Sequence, residues 1–156
     1  MKILIAAVGR LRDGHEAALT ADYLQRAAVA GRQLGFKSVD LVEVEGKPNG
    51  DPRAEASALY RATPDGARKI LLDERGAEWA SRQLAEKLAR WRDDGLSCAT
   101  FWIGGADGVS QSVKDNADEK LALGRQTWPH RLVRVMISEQ IYRAVTILSG
   151  NPYHRD

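Results

Sequence analysis

Cysteine is almost absent from this chain: Cys98 is the one thiol in 156 residues. That excludes an intrachain disulfide and any metal site built from clustered cysteines, and no metal is expected. Cys98 lies in an apolar strand pattern and reads as a small core residue. Long hydrophobic runs are missing too. No apolar stretch approaches the roughly 20 residues needed to cross a bilayer. The N-terminal run Ile3–Val8 follows a single lysine and is too brief for a secretory signal. It reads as a buried first strand, and the expectation is a cytoplasmic protein with no membrane contact. Charge of one sign is scarce as well: 23 Lys and Arg stand against 21 Asp and Glu, a net +2. That is too little for a general nucleic-acid binder. Neither G-x-G-x-x-G nor G-x-x-x-x-G-K-[ST] is recognised in the glycine-containing segments, so a pyrophosphate ligand has little support.

What is present is globular. Hydrophobic residues make up 44% and charged residues 28%, which suits one compact domain over residues 1–156 with a real core. The charge is unevenly placed. Arg125, Arg131, Arg134, Arg143 and Arg155 face only Glu139 and Asp156 in the last 32 positions. That segment therefore carries +3 and residues 1–124 carry −1, and a basic end suits an anionic partner. Any single one of these arginines also fits a helix face or a helix C-terminus.

Hydrophobic periodicity alternates strand and helix with short connections. Residues 2–8 read as a strand ended by Gly9, and 15–30 as a helix closed by Gly31. Val39–Val44 alternates apolar and acidic residues, a half-buried strand. The stretch 46–52 (GKPNGDP) is a loop by composition and a candidate mobile segment. A helix follows from Arg53 to Arg61, then a strand over Arg68–Leu72 running into Asp73-Glu74-Arg75-Gly76. Ser81–Asp93 is a helix, Cys98–Ile103 a strand, and Gln111 opens a short helix. Leu121-Ala122-Leu123 is a brief strand, and Pro129 opens a last helix reaching Ser149. The expected class is α/β, a mostly parallel sheet with helices on both faces.

The last helix carries two apolar stripes. Val133, Ile137, Ile141, Ala144 and Leu148 form one; Leu132, Val135, Met136, Tyr142 and Val145 form the other. A helix so widely apolar either lies deep in the domain or packs on a second subunit. A homodimer with this helix in the interface is the expectation.

Ligands of open α/β sheets bind beyond the carboxyl ends of strands. Three segments are placed there: Leu72-Asp73, Gly104-Gly105-Ala106-Asp107-Gly108, and Gly124 to Pro129. The tail Asn151-Pro152-Tyr153-His154-Arg155 brings together a turn, a ring, an imidazole and a guanidinium. It reads either as a surface-packed cap or as a group of side chains able to stack on a base, move a proton and hold a phosphate. His15 reads as exposed. His130, beside Pro129, fits a capping role as well as a contact with a ligand, and Arg10-Leu11-Arg12 is a further candidate for touching RNA.

Five segments in order carry a family resemblance. They are Leu72-Asp73-Glu74-Arg75-Gly76; Phe101-Trp102-Ile103-Gly104-Gly105-Ala106-Asp107-Gly108; Pro129-His130-Arg131-Leu132-Val133-Arg134; Glu139-Gln140-Ile141-Tyr142-Arg143-Ala144; and Asn151-Pro152-Tyr153-His154-Arg155. With their spacing and the chain length, the sequence resembles the RlmH family, the 23S ribosomal RNA pseudouridine N3-methyltransferases of the SPOUT superfamily. The resemblance covers essentially the whole chain. It implies a C-terminal trefoil knot, a homodimer and S-adenosyl-L-methionine as methyl donor. By position, Leu72, Gly105, Gly124, Arg125, Gln126, Thr127, Trp128 and Pro129 would contact the donor. Tyr153, His154 and Arg155 would serve the RNA and the reaction, on 23S rRNA within the large subunit or the assembled ribosome. The chain departs from the family pattern at Trp128, where a leucine is common, and Arg125 is long for such a loop. His154 would accept a proton or orient the RNA, Arg155 would neutralise a phosphate or stabilise charge on the base oxygens, and Tyr153 would stack on the target. Two rival readings stay open: a non-catalytic ribosome-associated RNA-binding dimer, and an open α/β enzyme acting on a small nucleotide.

Overall fold

The apolar runs become five parallel strands in the computed structural model, which describes residues 1–12, 14–46 and 51–155. In chain order the elements are β1 (Lys2–Val8), α1 (His15–Gly31), a short 3-10 turn (Arg32–Leu34), β2 (Ser38–Val44), α2 (Pro52–Ala62) and β3 (Arg68–Glu78). Then follow α3 (Ser81–Asp93), β4 (Cys98–Ile103), α4 (Gln111–Asn116), β5 (Glu119–Ala122) and α5 (His130–Leu148). The strands lie in the order β2-β1-β4-β3-β5, every pairing parallel.

The central strands are apolar on both faces because helices cover both. All six residues of β4 are buried, as a parallel sheet sealed on each side requires. Ile3, Ile5, Phe101 and Ile103 pack with Leu24 of α1, Leu88 of α3, and Ile137 and Ile141 of α5. On the opposite face Ala6, Val8 and Trp102 meet Leu59 of α2 and Val113 of α4. Trp102 is fully enclosed, and its indole N–H donates to Thr63 Oγ1 at 2.8 Å. That bond removes the cost of burying an unpaired donor, about 1–3 kcal/mol.

Element boundaries depart from the sequence reading at α2, β3 and β5, the last starting two residues earlier than expected, at Glu119, and ending at Ala122. The start of α2 is Pro52, since Asp51 caps the helix by accepting the Arg53 N–H at 3.0 Å and proline suits the first helical position. Most of the loop expected over 46–52 lies outside the described residues. β3 does not stop at Leu72. Leu72 and Ala77 both stand opposite Leu121, so residues 73–76 bulge out and the strand then resumes to Glu78. Gly76 makes the return possible. A Cβ there would lie 2.6 Å from the Lys120 carbonyl carbon and 2.7 Å from the Leu121 nitrogen, so the position admits no side chain.

α5 lies on one face of the sheet and packs chiefly against α1 and α3. Its first stripe points inward, with Ile137, Ile141 and Ala144 at 0% exposure. The second is largely left open. Val145 is buried, but Val135, Met136 and Tyr142 are only partly covered and Leu132 is 41% exposed. One side of the helix thus lies deep in the domain, while the other leaves apolar side chains partly exposed.

Candidate active site

The carboxyl ends of β3, β4 and β5 open into a cleft of about 800 Å³. Its lower wall is apolar, from Leu72, Ile103, Leu121 and Val133. The rim is main chain from Gly104–Ala106, Gly108 and Gly124. A β-carbon on Gly104 would meet Val109 Cγ1 at 2.5 Å and the Gly108 carbonyl at 3.2 Å, so glycine keeps this wall thin. The turn is closed by the Gly108 N–H donating to Gly105 O at 3.1 Å. Behind it stands Glu55 of α2, within 3.2 Å of where a Gly105 Cβ would be. Burial, then Asp107 and Asp51, push the Glu55 carboxyl above its ordinary range.

Of the eight residues expected at a donor site, Leu72, Gly105, Gly124, Gln126, Thr127, Trp128 and Pro129 line this cleft. Arg125 does not. Its side chain is 93% exposed and reaches Glu78 at 3.4 Å instead. The loop before α5 is tied in two ways: Thr127 Oγ1 donates to Glu74 Oε2 at 2.9 Å, and the Trp128 indole N–H donates to Leu123 O at 3.0 Å. Across the cleft Asp73 pairs with Lys114 at 3.4 Å and accepts the Arg75 N–H at 2.9 Å. Lys114 was not singled out in the sequence. It reaches the cleft only because α4 folds back beside β3, and nothing in its local pattern distinguishes it from a solvated lysine.

His130 also lines the cleft, at the first turn of α5. Burial, then Arg134 and Arg131, hold its imidazole below the usual value. Arg134 is itself only 1% exposed. It donates to Val8 O and, at 2.9 Å, to Glu43 Oε1, which also accepts the Leu11 N–H at 2.7 Å. This pair fastens the loop after β1 to the start of α5.

The tail is elsewhere. Tyr153 folds back along α5, its hydroxyl donating to Glu139 Oε1 at 3.0 Å and its ring 4.7 Å from that of Tyr142. Arg143 lies over the Tyr153 ring at 4.8 Å, bonds Glu139 through Nε at 2.9 Å, and meets His154 Nδ1 at 3.3 Å. Burial and the bond to Glu139 hold the Tyr153 phenol in its protonated form. Arg155 is exposed. None of the three lines the cleft of its own chain. Tyr153 reaches back only to Glu139, nine residues or about 14 Å of helix short of His130.

Residues 1–154 match the family model described as "Predicted SPOUT methyltransferase". The chain belongs to the SPOUT methyltransferase family. It is 56% identical over 156 residues to the Ribosomal RNA large subunit methyltransferase H of Paracoccus denitrificans (strain Pd 1222), covering all of both chains. Proteins of the same name from Cereibacter sphaeroides (strain ATCC 17025 / ATH 2.4.3) and Roseobacter denitrificans (strain ATCC 33942 / OCh 114) are 53% and 51% identical, over 99% and 100% of each chain. The crystal structure of a probable methyltransferase from Bordetella pertussis Tohama I shares the fold, with a TM-score of 0.53 at 16% identity over 92% of this chain and 93% of that one.

A SPOUT methyltransferase needs room for a methyl donor, and this cleft fits one. Its volume lies in the range that encloses a nucleoside-sized ligand. Its thin glycine walls leave main-chain groups free to meet a purine edge, and its apolar floor suits a ring. Among the described residues no group of three or more His, Cys, Asp or Glu is placed to hold a metal ion, and none forms a helix long and apolar enough to cross a membrane.

Proposed function

We propose that this enzyme transfers a methyl group from S-adenosyl-L-methionine to N3 of a pseudouridine in 23S ribosomal RNA, acting in the cytoplasm on the large subunit or the assembled ribosome. The observation that carries the reading is the cleft itself: three loops, from the ends of three adjacent strands, meet around one apolar floor. The names of the full-length relatives support the RNA substrate, and the family likeness supports a knotted path for the last part of the chain.

Leu72, Gly105 and the run from Gly124 to Pro129 hold the donor, chiefly through main-chain groups and apolar contact. Bound there, the donor supplies an already activated methyl group, so no metal is called for. The protein's task is to set the acceptor nitrogen in line with that methyl and to remove its proton. Arg125, turned outward, is placed for RNA phosphate and not for the donor.

The tail works across a dimer. Leu132, Val135 and Met136 leave an apolar face on α5, and Val135 and Met136 line a groove of about 550 Å³ with Trp79, Leu84 and Glu139. A two-fold contact through that face covers it with the partner's α5 and brings the partner's tail toward the cleft. Tyr153 then stacks on the target nucleotide, Arg155 holds phosphate, and His154 orients the RNA.

Nucleoside mass spectrometry of large-subunit RNA from cells with and without this protein tests the reading, together with calorimetry of donor binding. An unchanged nucleoside profile would remove the proposed reaction, and absence of donor binding would favour the non-catalytic RNA-binding alternative.

A further inference from the structure

We infer that His130 is the proton acceptor of this enzyme, taking the proton from the target nitrogen as the methyl group is transferred. The inference deepens the methyl-transfer reading and rests on it.

The first support is position. His130 lines the same cleft as the proposed donor residues, on the chain that holds them, whereas the Nδ1 of His154 is engaged with the Arg143 guanidinium at 3.3 Å.

The second is availability. The cleft's other bases are occupied: Asp73 by Lys114 and the Arg75 N–H, Glu74 by the Thr127 hydroxyl. Lys114 and Arg75 are themselves cations. Among the described residues, His130 has no hydrogen-bond partner at either ring nitrogen, so its lone pair is free for a ligand.

The third is charge. Arg131, bound to Glu16 of α1 at 3.5 Å, and Arg134, bound to Glu43 of β2, both follow it within the next four residues of α5. Two fixed guanidiniums and the positive end of the helix oppose a third positive charge. The imidazole is therefore neutral at neutral pH and ready to accept.

The step balances. The target N–H bond breaks, its proton passing to a His130 ring nitrogen and its electron pair forming the new N–C bond. The methyl–sulfur bond breaks with its pair left on sulfur, turning sulfonium into thioether. The imidazolium then sits among like charges and gives its proton to water, which resets the site.

The test uses His130→Asn and the bulkier His130→Gln. Single-turnover methylation of large ribosomal subunits lacking the modification is followed from about pH 5.5 to about pH 9, at saturating S-adenosyl-L-methionine. Donor affinity is measured separately by calorimetry. We expect both variants to bind the donor within about threefold of wild type, to lose about 100-fold or more in rate, and to lose the acid-side fall of the wild-type profile. Two results overturn the assignment: a near-wild-type rate, or a rate loss that leaves the acid-side fall in place. A wild-type enzyme that transfers no methyl group overturns the underlying reading instead.

Discussion

At its N-terminal end α5 borders a cleft lined by glycine main chain and apolar side chains, while along its second half Glu139, Tyr142 and Arg143 of the same helix hold Tyr153 of the tail. The difference separates two ways of building a site. Where the main chain does the recognising, the side chains around it are replaceable, and what harms the site is an added atom. Where side chains hold one another, each is needed, and what harms the site is a missing atom. Trp128 and Arg125 illustrate the first case. Arg125 turns outward to Glu78, and Trp128 ties its ring N–H to Leu123 O, so neither polar group points its hydrogen bond into the cleft.

The contrast can be broken most sharply at Gly76, which closes the bulge carrying Asp73, Glu74 and Arg75. Gly76→Ala drives a methyl group into the β5 main chain, and we expect a loss of about 3 kcal/mol or more in urea unfolding. A change below about 1 kcal/mol would mean that the bulge yields and the wall is not fixed by main chain. At the other end, removing residues 151–156 should leave donor affinity within about twofold and cut methyl transfer by about 100-fold or more. Parallel losses in both would show that the two ends are one structure. Tyr153→Phe deletes only the hydroxyl bonded to Glu139. It should cost about 1 kcal/mol, or roughly 2–4 °C in melting temperature for a domain of this size.

Glu55→Gln sharpens the cleft side in the opposite direction. The carboxyl of Glu55 is pushed up by burial and by Asp107 and Asp51. A raised folded pKa gives stability that is complete below the unfolded pKa and lost as pH rises through the folded value. Wild type therefore bears this cost at neutral pH and glutamine does not. The variant should melt higher at pH 7, with the gain shrinking as pH falls through the carboxylate range, as scanning calorimetry would show. The smallest effect belongs to Arg125→Ala, within about 0.5 kcal/mol in stability and neutral for donor affinity. A large loss of donor binding there would return Arg125 to the donor site.

Much of the fold was legible because parallel strands buried on both faces leave continuous apolar runs, as β1 and β4 do. The resumption of β3 after Gly76 was not, since Asp73-Glu74-Arg75-Gly76 breaks the apolar run and only the pairing with β5 brings the chain back into the sheet. The cleft's main-chain residues were readable from their place after strands. Lys114, Glu55 and Arg134 were not, because a single charged residue on a helix carries no local mark of what it will face.

The sequence by itself determined the alternation of strands and helices, the two apolar sides of α5, the loops that bound the cleft and, through ordered motifs, the family. These are local properties, set by periodicity and by where glycine and proline fall. Only the tertiary structure decided that His130 lines the cleft while Tyr153, His154 and Arg155 lie outside the cleft of their own chain, and that Arg134 lies buried against Glu43. Those outcomes depend on which elements lie side by side, and burial and Coulomb interaction act across distances that chain spacing does not encode.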